Sequence, residues 1–525
     1  MMRTLTIAIA TALGAMTSSA SAVMLNPRGT GQVLIYPYYT VNHQQTLLSV
    51  INTTAHGKAL KVRFREGYDG RDVANFNVYL GPYDSWVGAV FDTGSDGTGA
   101  AAIATNDKSC TVPAFPLAPV PGTLHALTFS NANYSQGDYG APTGTDSGPT
   151  NLARTREGFF EIIEMGEVID QQAGSPKTLE AITVTNQPPG CAQVMSAWSS
   201  GGYWAANATT DLSPPAGGLY GSAGIVDVAQ GTLYAYNATA IDGFSDTVQH
   251  TGPQDPKPNL STAATDSAHD IATAYVSIGN AMIKADYPAS TRGVDAVSAV
   301  LMAQQLANEF NSDPVLGAQT DFLVTYPTKQ FYVDPGIVGT QSSAFIAPFE
   351  QVFGGGGTGS GEGAGKSCID ARADFFDRVG RGIYTGSPCG LPPIGSTNEL
   401  CLQTEAIPLG AHAAAPGALQ SNLRGQLLQN DQCGGPLLAV TYDTGNVRVG
   451  FTDQVEPDYM GPPYPVEELR ASVNGKIFLG VPAVGFVAIN YINANVTPGV
   501  LSNYSGTYPH RSWLACFAMA GGPCE

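Results

Sequence analysis

The chain is poor in charged side chains, and basic ones are the scarcest. Charged residues make up 13% of the 525 positions, and 24 Lys and Arg stand against 43 Asp and Glu, which gives a net charge of −19. Nucleic acids and anionic lipid surfaces bind through clustered Lys and Arg that displace counterions. The charge balance therefore argues against both of these partners.

The sequence also lacks the short motifs of common catalytic and metal sites. It has no Cys-x-x-Cys, its seven histidines form neither His-x-His nor His-Glu-x-x-His, and no Gly-x-Ser-x-Gly occurs. Zinc ribbons, thioredoxin chemistry, zinc peptidases of that type and nucleophile-elbow hydrolases are therefore disfavoured. We expect no cofactor and no metal site.

After the first 22 residues, no apolar run approaches the 18 residues that a membrane-spanning helix needs. The start of the chain is different: MMR precedes an apolar run from Leu5 to Met16, and SSASA follows at residues 18–22. This order of features is typical of a secretory signal peptide. We expect residues 1–22 to be removed and the mature chain to be exported to the cell surface or the extracellular space, with the periplasm as an alternative.

The eight cysteines fit an exported protein. An even number of cysteines in an oxidising compartment favours disulfides over metal ligands. The candidates are Cys110, Cys191, Cys368, Cys389, Cys401, Cys433, Cys516 and Cys524. We expect Cys110 to pair with Cys191, Cys516 to pair with Cys524, and the four cysteines between them to form two bridges.

What the chain has in quantity is turn-forming residues, with 62 Gly and 36 Pro. Many short strands joined by tight turns have this composition. The predicted fold class is mainly β, with antiparallel, immunoglobulin-like β-sandwich domains, long loops and one substantial helix. The predicted order is a sandwich at 23–250, a linker or long loop at 251–267, and a mostly β domain at 268–525. This second domain contains a helix at 294–310, capped by Asp295, and a Gly-rich loop at 353–367.

The most regular strand pattern lies between Tyr36 and Phe91. Within it, Leu60, Val62 and Phe64 alternate with three basic residues. Such alternation places the apolar set in a core and the other set in water. The basic row is Lys61, Arg63 and Arg65, with Arg71 nearby. We expect it to be either a solvated strand face or a contact face for an acidic patch on another copy.

Two Asp-Thr-Gly triplets begin at Asp92 and Asp443. They are similar to the pepsin-type aspartic peptidase pattern, in which two carboxylates share a proton and activate a water. The second triplet lacks the usual Ser or Thr after Gly, and Asp-Thr-Gly is also common turn chemistry at a strand end. Two turns is the favoured interpretation, and an aspartic peptidase is the enzyme alternative.

Aromatic residues suggest a third possibility. Exposed Tyr and Trp rings can form platforms for sugars, although such residues pack in cores more often. The candidates are Tyr36, Tyr38, Tyr39, Trp86, Tyr203 and Trp204.

Several segments resemble a group of exported proteins of Gram-negative bacteria that are labelled only as cell-surface proteins. The segments are IYPYYTV (35–41), SVINTT (49–54), KALKVRFREG (58–67), FNVYLGPYDSW (76–86) and TYPTKQFYVD (325–334). The resemblance implies export and a surface or extracellular setting, and it carries no catalytic residues. We therefore expect a structural, adhesive or assembly protein without catalytic activity, which contacts copies of itself or other surface components. The alternatives are the peptidase and a carbohydrate- or partner-binding sandwich.

Overall fold

The computed structural model describes residues 21–94, 97, 99–116, 125–135, 148–169, 182, 190–338, 347–349, 367–380, 398–414, 416–425, 427, 442–451, 467–493, 500, 502–519, 522 and 524. Of these described residues, 47% are in strands and 11% are helical, so the fold is mainly β. The described sheets are built from antiparallel strand pairs. The predicted mainly β, antiparallel class is therefore confirmed, and the immunoglobulin-like connectivity stays a prediction.

The first sandwich is formed by the strands between residues 24 and 242. They are β1 (Met24–Leu25), β2 (Val33–Thr40), β3 (Gln45–Asn52), β4 (Gly57–Glu66), β5 (Asp72–Leu80), β6 (Ser85–Asp92), β7 (Ala101–Thr105), β8 (Cys110–Val112), β9 (His125–Thr128), β10 (Glu157–Val168), β11 (Leu212–Ser213), β12 (Leu219–Asp227), β13 (Thr232–Asn237) and β14 (Thr239–Asp242). One sheet has the order β1-β14-β2-β10-β4-β5-β8, with β11 beside β10, and the other has the order β13-β12-β3-β6-β7-β9.

The core of the first sandwich follows the predicted alternation. Leu60, Val62 and Phe64 of β4 are fully buried and pack with apolar residues of the six-stranded sheet. The rings of Tyr36 and Phe160 stack with centroids 4.1 Å apart. Outside the sandwich, a 3₁₀ turn spans Leu152–Arg156, and two short helices follow, α1 (Cys191–Ala197) and α2 (Tyr203–Ala206).

The second sandwich uses strands from the later part of the chain. These elements are a 3₁₀ turn at Ser267–His269, β15 (Ile271–Ile278), β16 (Ala281–Pro288), α3 (Ala289–Leu301), β17 (Met302–Ala303), β18 (Gln305–Asn311), β19 (Ala318–Thr325), α4 (Gln330–Val333), α5 (Pro335–Val338), β20 (Ile369–Asp377), β21 (Asn398–Leu400), β22 (Thr404–Pro408), β23 (Thr444–Gly450), β24 (Lys476–Phe478), β25 (Val481–Pro482), β26 (Val484–Tyr491), β27 (Tyr504–Pro509), β28 (Arg511–Trp513) and β29 (Cys516–Ala518). A five-stranded sheet, β21-β20-β23-β18-β28, packs on a four-stranded sheet, β22-β19-β26-β27. Three two-stranded pairs accompany them: β15-β16, β17-β25 and β24-β29.

The predicted helix at 294–310 is only partly correct. The helix α3 ends at Leu301, and residues 305–311 form β18, which pairs with β23 and β28. Leu306 and Phe310 of β18 are buried in the core. Pairing with two neighbouring strands therefore overrides the helical spacing in the second half.

Asp295 does not cap the helix start as predicted. It lies inside α3 and is fully buried. Its carboxylate accepts hydrogen bonds from Arg292 at 2.5 Å, Arg470 at 2.6 Å and the Tyr332 hydroxyl at 2.8 Å. The residue is therefore the centre of a buried ion-pair network.

The two sandwiches share a packed junction. Leu323 of β19 and Phe486 of β26 belong to the same apolar cluster as the core of the first sandwich, and Phe486 stacks on Tyr236 with centroids 4.9 Å apart. At the outer edge of β13, the Ser505 hydroxyl bonds the Leu233 N–H at 2.8 Å and the Leu233 carbonyl at 2.9 Å. The Thr507 hydroxyl donates to the Ala235 carbonyl. Side chains of β27 therefore close the edge of the six-stranded sheet.

The described disulfides are Cys110–Cys191, Cys368–Cys401 and Cys516–Cys524. The first and the last are the predicted pairs. Cys389 and Cys433 lie outside the described residues, as does the Gly-rich segment up to residue 366. Among the described helices, none has the length and apolar character needed to span a membrane.

Candidate functional site

The basic row on β4 is buried, so the prediction of an exposed face is wrong. Lys61 has no exposed surface, Arg63 and Arg65 are 2% exposed, and Arg71 is 7% exposed. The segment predicted as a linker or long loop lies across the row as a long loop. Lys61 donates to the Gly252 carbonyl at 2.6 Å, and Arg63 donates to the carbonyls of Pro256 and Pro258. The row therefore faces this chain rather than a partner.

Acidic residues of neighbouring strands neutralise the positive charge of the basic row. Arg65 pairs with Glu161 of β10 at 2.9 Å and with Asp72 of β5 at 3.2 Å, and Arg63 also contacts Asp72. Burial, followed by the charge of Arg63, lowers the pKa of Lys61 to about 7. Each guanidinium keeps a countercharge, which is the condition for burying it. The acidic residues along REGFFEIIEMGEV were the available signal for this pairing.

The aromatic residues proposed as sugar platforms do not form one. Tyr36, Tyr38, Tyr39 and Trp86 have no exposed surface, and Trp204 is 1% exposed. Tyr203 is partly buried and donates its hydroxyl to Asp211 at 2.9 Å. These rings pack in or against the apolar clusters of the interior, so they offer no open platform.

The structure does not bring Asp92 and Asp443 together. Asp92 ends β6 in the first sandwich, accepts from the Gly94 N–H at 2.9 Å and pairs with Arg156 at 2.7 Å. Asp443 precedes β23 in the second sandwich and contacts His412 at 2.5 Å. Among the residues that the structure describes, the two carboxylates share no hydrogen-bond partner. A pepsin-type site needs both carboxylates on one water, so the geometry offers this chemistry no support.

A different surface combines exposed aromatic rings with polar side chains. It lies on the outer side of the five-stranded sheet, and we name it the Trp513 face. Trp513 is 48% exposed and Tyr508 is 47% exposed. The polar residues of this face are Glu309, Asn446 and Arg511, and all three are exposed.

Strand register assembles the Trp513 face. Trp513 of β28 pairs with Gln305 of β18, and Arg511 pairs with Ala307. Because side chains alternate along a strand, Trp513 and Arg511 lie on the same side of the sheet. Across β18, Glu309 pairs with Asn446 of β23. Three adjacent strands therefore present an aromatic, a cationic, an anionic and an amide group on one side.

A groove of about 380 Å³ runs along this face. The small side chain of Ala307 lies between Arg511, Glu309 and the Tyr508–Pro509 corner, which also line the groove. Asn308 fixes the corner, because its Nδ2 donates to the Tyr508 carbonyl at 2.8 Å. The volume lies within the range of small-ligand sites.

Three polar side chains beside the groove have no partner among the residues that the structure describes. In the described part of the chain, the side chains of Glu309, Asn446 and Arg511 form no hydrogen bond or ion pair. Arg63, Arg65 and Arg154, by contrast, are all bonded internally. The fold therefore leaves three different polar groups beside one groove, each open to a ligand.

A second exposed surface is apolar. It is the outer side of the six-stranded sheet, where Leu47 is 46% and Leu233 is 51% exposed beside a groove of about 800 Å³. The described residues that line this groove are all uncharged. Exposed apolar patches of this kind mark contact surfaces, but this lining contains no charged group that would define a partner.

The chain matches no protein-family model, and comparison with curated proteins and with solved structures finds no significant similarity.

Proposed function

We propose that the protein is an exported, non-catalytic adhesive protein that binds carbohydrate through the Trp513 face. The observation that carries this proposal is the set of unpaired polar side chains beside the exposed rings of Trp513 and Tyr508. The proposal combines the adhesive role expected from the sequence with the carbohydrate-binding alternative. It places the binding site on aromatic residues that the sequence reasoning did not select.

The chemistry of the Trp513 face suits a sugar ring. A sugar has C–H groups on its faces and hydroxyl groups around its rim. Indole and phenol rings offer flat apolar surfaces for the faces, while carboxylate, amide and guanidinium groups offer acceptors and donors for adjacent hydroxyls. The Trp513 face provides both kinds of contact within a few side chains of one another.

The charges on this side of the sheet favour a ligand without strong net charge. Glu309 and Asp374 oppose Arg511 and Arg448 across β20, β23, β18 and β28. Arg448 lies over the Phe376 ring at 5.2 Å. A polyanion or a polycation would meet unfavourable charges here, whereas a neutral polysaccharide would not.

Export supports the adhesive part of the proposal. The signal-like segment at 1–22 and the disulfides are features of proteins outside the cytoplasm. Polysaccharides of the cell envelope or the surroundings are then within reach. Self-association and contact with other surface components stay predictions.

The first prediction tests the Trp513 face directly. The mature chain, beginning at Val23, is titrated with soluble neutral polysaccharides by calorimetry and by affinity electrophoresis. Binding should be detected, and Trp513→Ala should weaken it by at least ~10-fold, because truncating a Trp side chain at the centre of a binding surface commonly costs about 2 kcal/mol or more.

Two further variants separate binding from folding. Arg511→Met should also weaken binding, because it removes a donor from an exposed position without disturbing the core. Tyr83→Ala, which removes an exposed ring far along the sequence from this face, is the matched control and should bind normally. The proposal is wrong if no polysaccharide binds, or if Trp513→Ala and Arg511→Met both bind as tightly as the control.

A further inference from the structure

In the part of the chain that the structure describes, the junction between the sandwiches contains buried side-chain oxygens without a hydrogen-bond partner. Each belongs to a side chain that is more than nine-tenths buried. They are Oε1 of Gln44 and Oδ1 of Asp321, and close by the Tyr234 hydroxyl is hydrogen-bonded with the side chains of Thr232 and Asn490. Buried polar atoms in proteins are nearly always satisfied, so these two oxygens indicate a missing partner.

The first sandwich supplies one side of this region. Asp227 ends β12 and pairs with Thr232 at the first position of β13, while the preceding residue of β12 pairs with Gln45. Gln44, the residue before Gln45, therefore lies beside Asp227 at the same end of the sheet. Tyr234 lies two residues beyond Thr232 and shares its buried side.

The second sandwich supplies the other side. Asp321 of β19 pairs with Ala488 of β26, and Gln319 pairs with Asn490. Asn490 Nδ2 donates to Gln319 Oε1 at 3.2 Å. Residues two apart on a strand share a side, so Asp321, Gln319 and Asn490 all lie on one side of the four-stranded sheet.

Residues 418–420 join the two sides. The Leu419 N–H donates to Asp321 Oδ2 at 2.7 Å, and Gln420 Nε2 donates to Asp227 Oδ2 at 2.6 Å. Gln44 reaches the Ala418 carbonyl at 3.4 Å. Consecutive residues thus contact carboxylates from both sandwiches, and this places Asp227 and Asp321 next to one short segment.

The groups around the Tyr234 hydroxyl also place Asp227 and Asp321 close to each other. Burial raises the pKa of Tyr234 to about 12, and the charges of Asp321 and Asp227 add to the increase. Side-chain hydrogen bonds with Thr232 and Asn490 oppose this increase in pKa. Tyr234 is therefore near both carboxylates and is hydrogen-bonded with two neighbouring oxygen-bearing side chains.

The two carboxylates have no basic partner in the described residues. Asp227 is 2% exposed and Asp321 is 1% exposed, and neither forms an ion pair. Arg424, which acts on Asp321 at a distance, is itself exposed. Two buried negative charges without a cation are unfavourable by several kcal/mol, and a divalent ion would neutralise both.

We propose that a calcium ion binds at this junction, held by the carboxylates of Asp227 and Asp321 and by neighbouring oxygens of Asn490, Thr232 and Gln44. All these groups are hard oxygen donors, without His or Cys, and flexible sets of protein oxygens favour calcium over zinc or magnesium. The sequence contains no calcium motif because the ligands come from four separate strands and a loop. The ion goes beyond carbohydrate binding, since it lies at the sandwich junction rather than on the Trp513 face.

The second prediction tests this ion on the mature chain. After treatment with EDTA, calcium chloride at millimolar concentration should raise Tm by about 3 °C, and magnesium chloride should raise it less. Terbium is expected to replace calcium and to show luminescence sensitised by Tyr234, which Tyr234→Phe should reduce.

Variants distinguish a built site from diffuse binding to an acidic protein. Asp321→Asn should fold, because the amide oxygen still accepts from the Leu419 N–H. Asp227→Asn keeps one acceptor for the two donors, Gln230 N–H and Gln420 Nε2, and is the more disruptive variant. Each should weaken calcium binding at least ~10-fold. Asp255→Asn removes an exposed carboxylate and should leave calcium binding unchanged. The proposal is overturned if calcium produces no change in Tm, or if both junction variants respond to calcium as the control does.

Discussion

Asp321 brings a carboxylate into an interior where one backbone N–H contacts it. Burial raises its pKa from 3.8 to about 6, and the Leu419 N–H and the charge of Arg424 reduce the shift only in part. The folded protein therefore holds the proton more tightly than the unfolded chain does. The stability that this residue contributes is complete below pH 3.8 and is lost as the pH rises through about 6.

The third prediction follows from this proton. One unit of difference in pKa corresponds to about 1.4 kcal/mol, so in calcium-free buffer the change amounts to about 3 kcal/mol between pH 4 and pH 8. Asp321→Asn should remove this part of the pH dependence. The measurement is urea unfolding of both proteins across that pH range. If the free energy of unfolding changes with pH equally in both proteins, the prediction is wrong.

Single residues also show what the sequence could not reveal. The burial of Leu60 and Phe64 was predictable from alternation. The burial of Lys61 and Arg63 was not, because their covering groups lie at residues 161 and 251–259. Similarly, Trp513 carries no local sign of exposure, since its surroundings depend on pairing with a strand about 200 residues earlier.

At the scale of elements, the loop across β4 behaves as part of the sheet. Its carbonyls at 252, 256 and 258 accept hydrogen bonds from Lys61 and Arg63, and those at 251 and 255 accept from Asn77 and Asn75 of β5. The loop thereby covers a charged strand face with backbone acceptors. A segment with the composition of a linker is thus held in one place.

The fourth prediction concerns that loop. Arg63→Met should destabilise the protein by about 3–5 kcal/mol, because Asp72 and Glu161 would lose one of their buried partners. Hydrogen exchange at residues 251–259 should increase as well. Arg28→Met, at an exposed position, is the matched control, and unchanged exchange in Arg63→Met would show that the loop is held by other contacts.

The prediction of elements from sequence succeeded where contacts are local. The strands around β4 and β5 follow their own alternation, and the first half of α3 follows helical spacing. The second half of the predicted helix became β18, because its neighbours are β23 and β28, whose positions no local pattern specifies.

At the scale of the whole molecule, the shared junction couples the sandwiches. Leu323, Phe486 and Ala488 of the second sandwich pack in the cluster that contains the core of the first. Glu157 of β10 accepts hydrogen bonds from Ser421 at 2.5 Å and from the Asn422 N–H at 2.8 Å. Loss of packing at this junction therefore affects both cores.

The fifth prediction is that the two sandwiches unfold together. Phe486→Ala should cost about 3–5 kcal/mol, because it removes a buried ring that stacks on Tyr236. Hydrogen exchange in urea should show that β12 and β26 lose protection at the same, lowered urea concentration. Phe517→Ala, at an exposed position, should leave both unchanged. If β26 loses its exchange protection at a lower urea concentration and β12 does not, the two sandwiches are not coupled.

Ser505 and Thr507 of β27 hydrogen-bond the outer edge of β13, and this contact has a consequence for polymerisation. An open edge strand offers a ladder of N–H and C=O groups to which strands of other molecules can add, as they do in fibrils. Here that ladder is already occupied by short side chains of the same protein. Other copies of the protein therefore cannot extend the six-stranded sheet by adding a strand to β13.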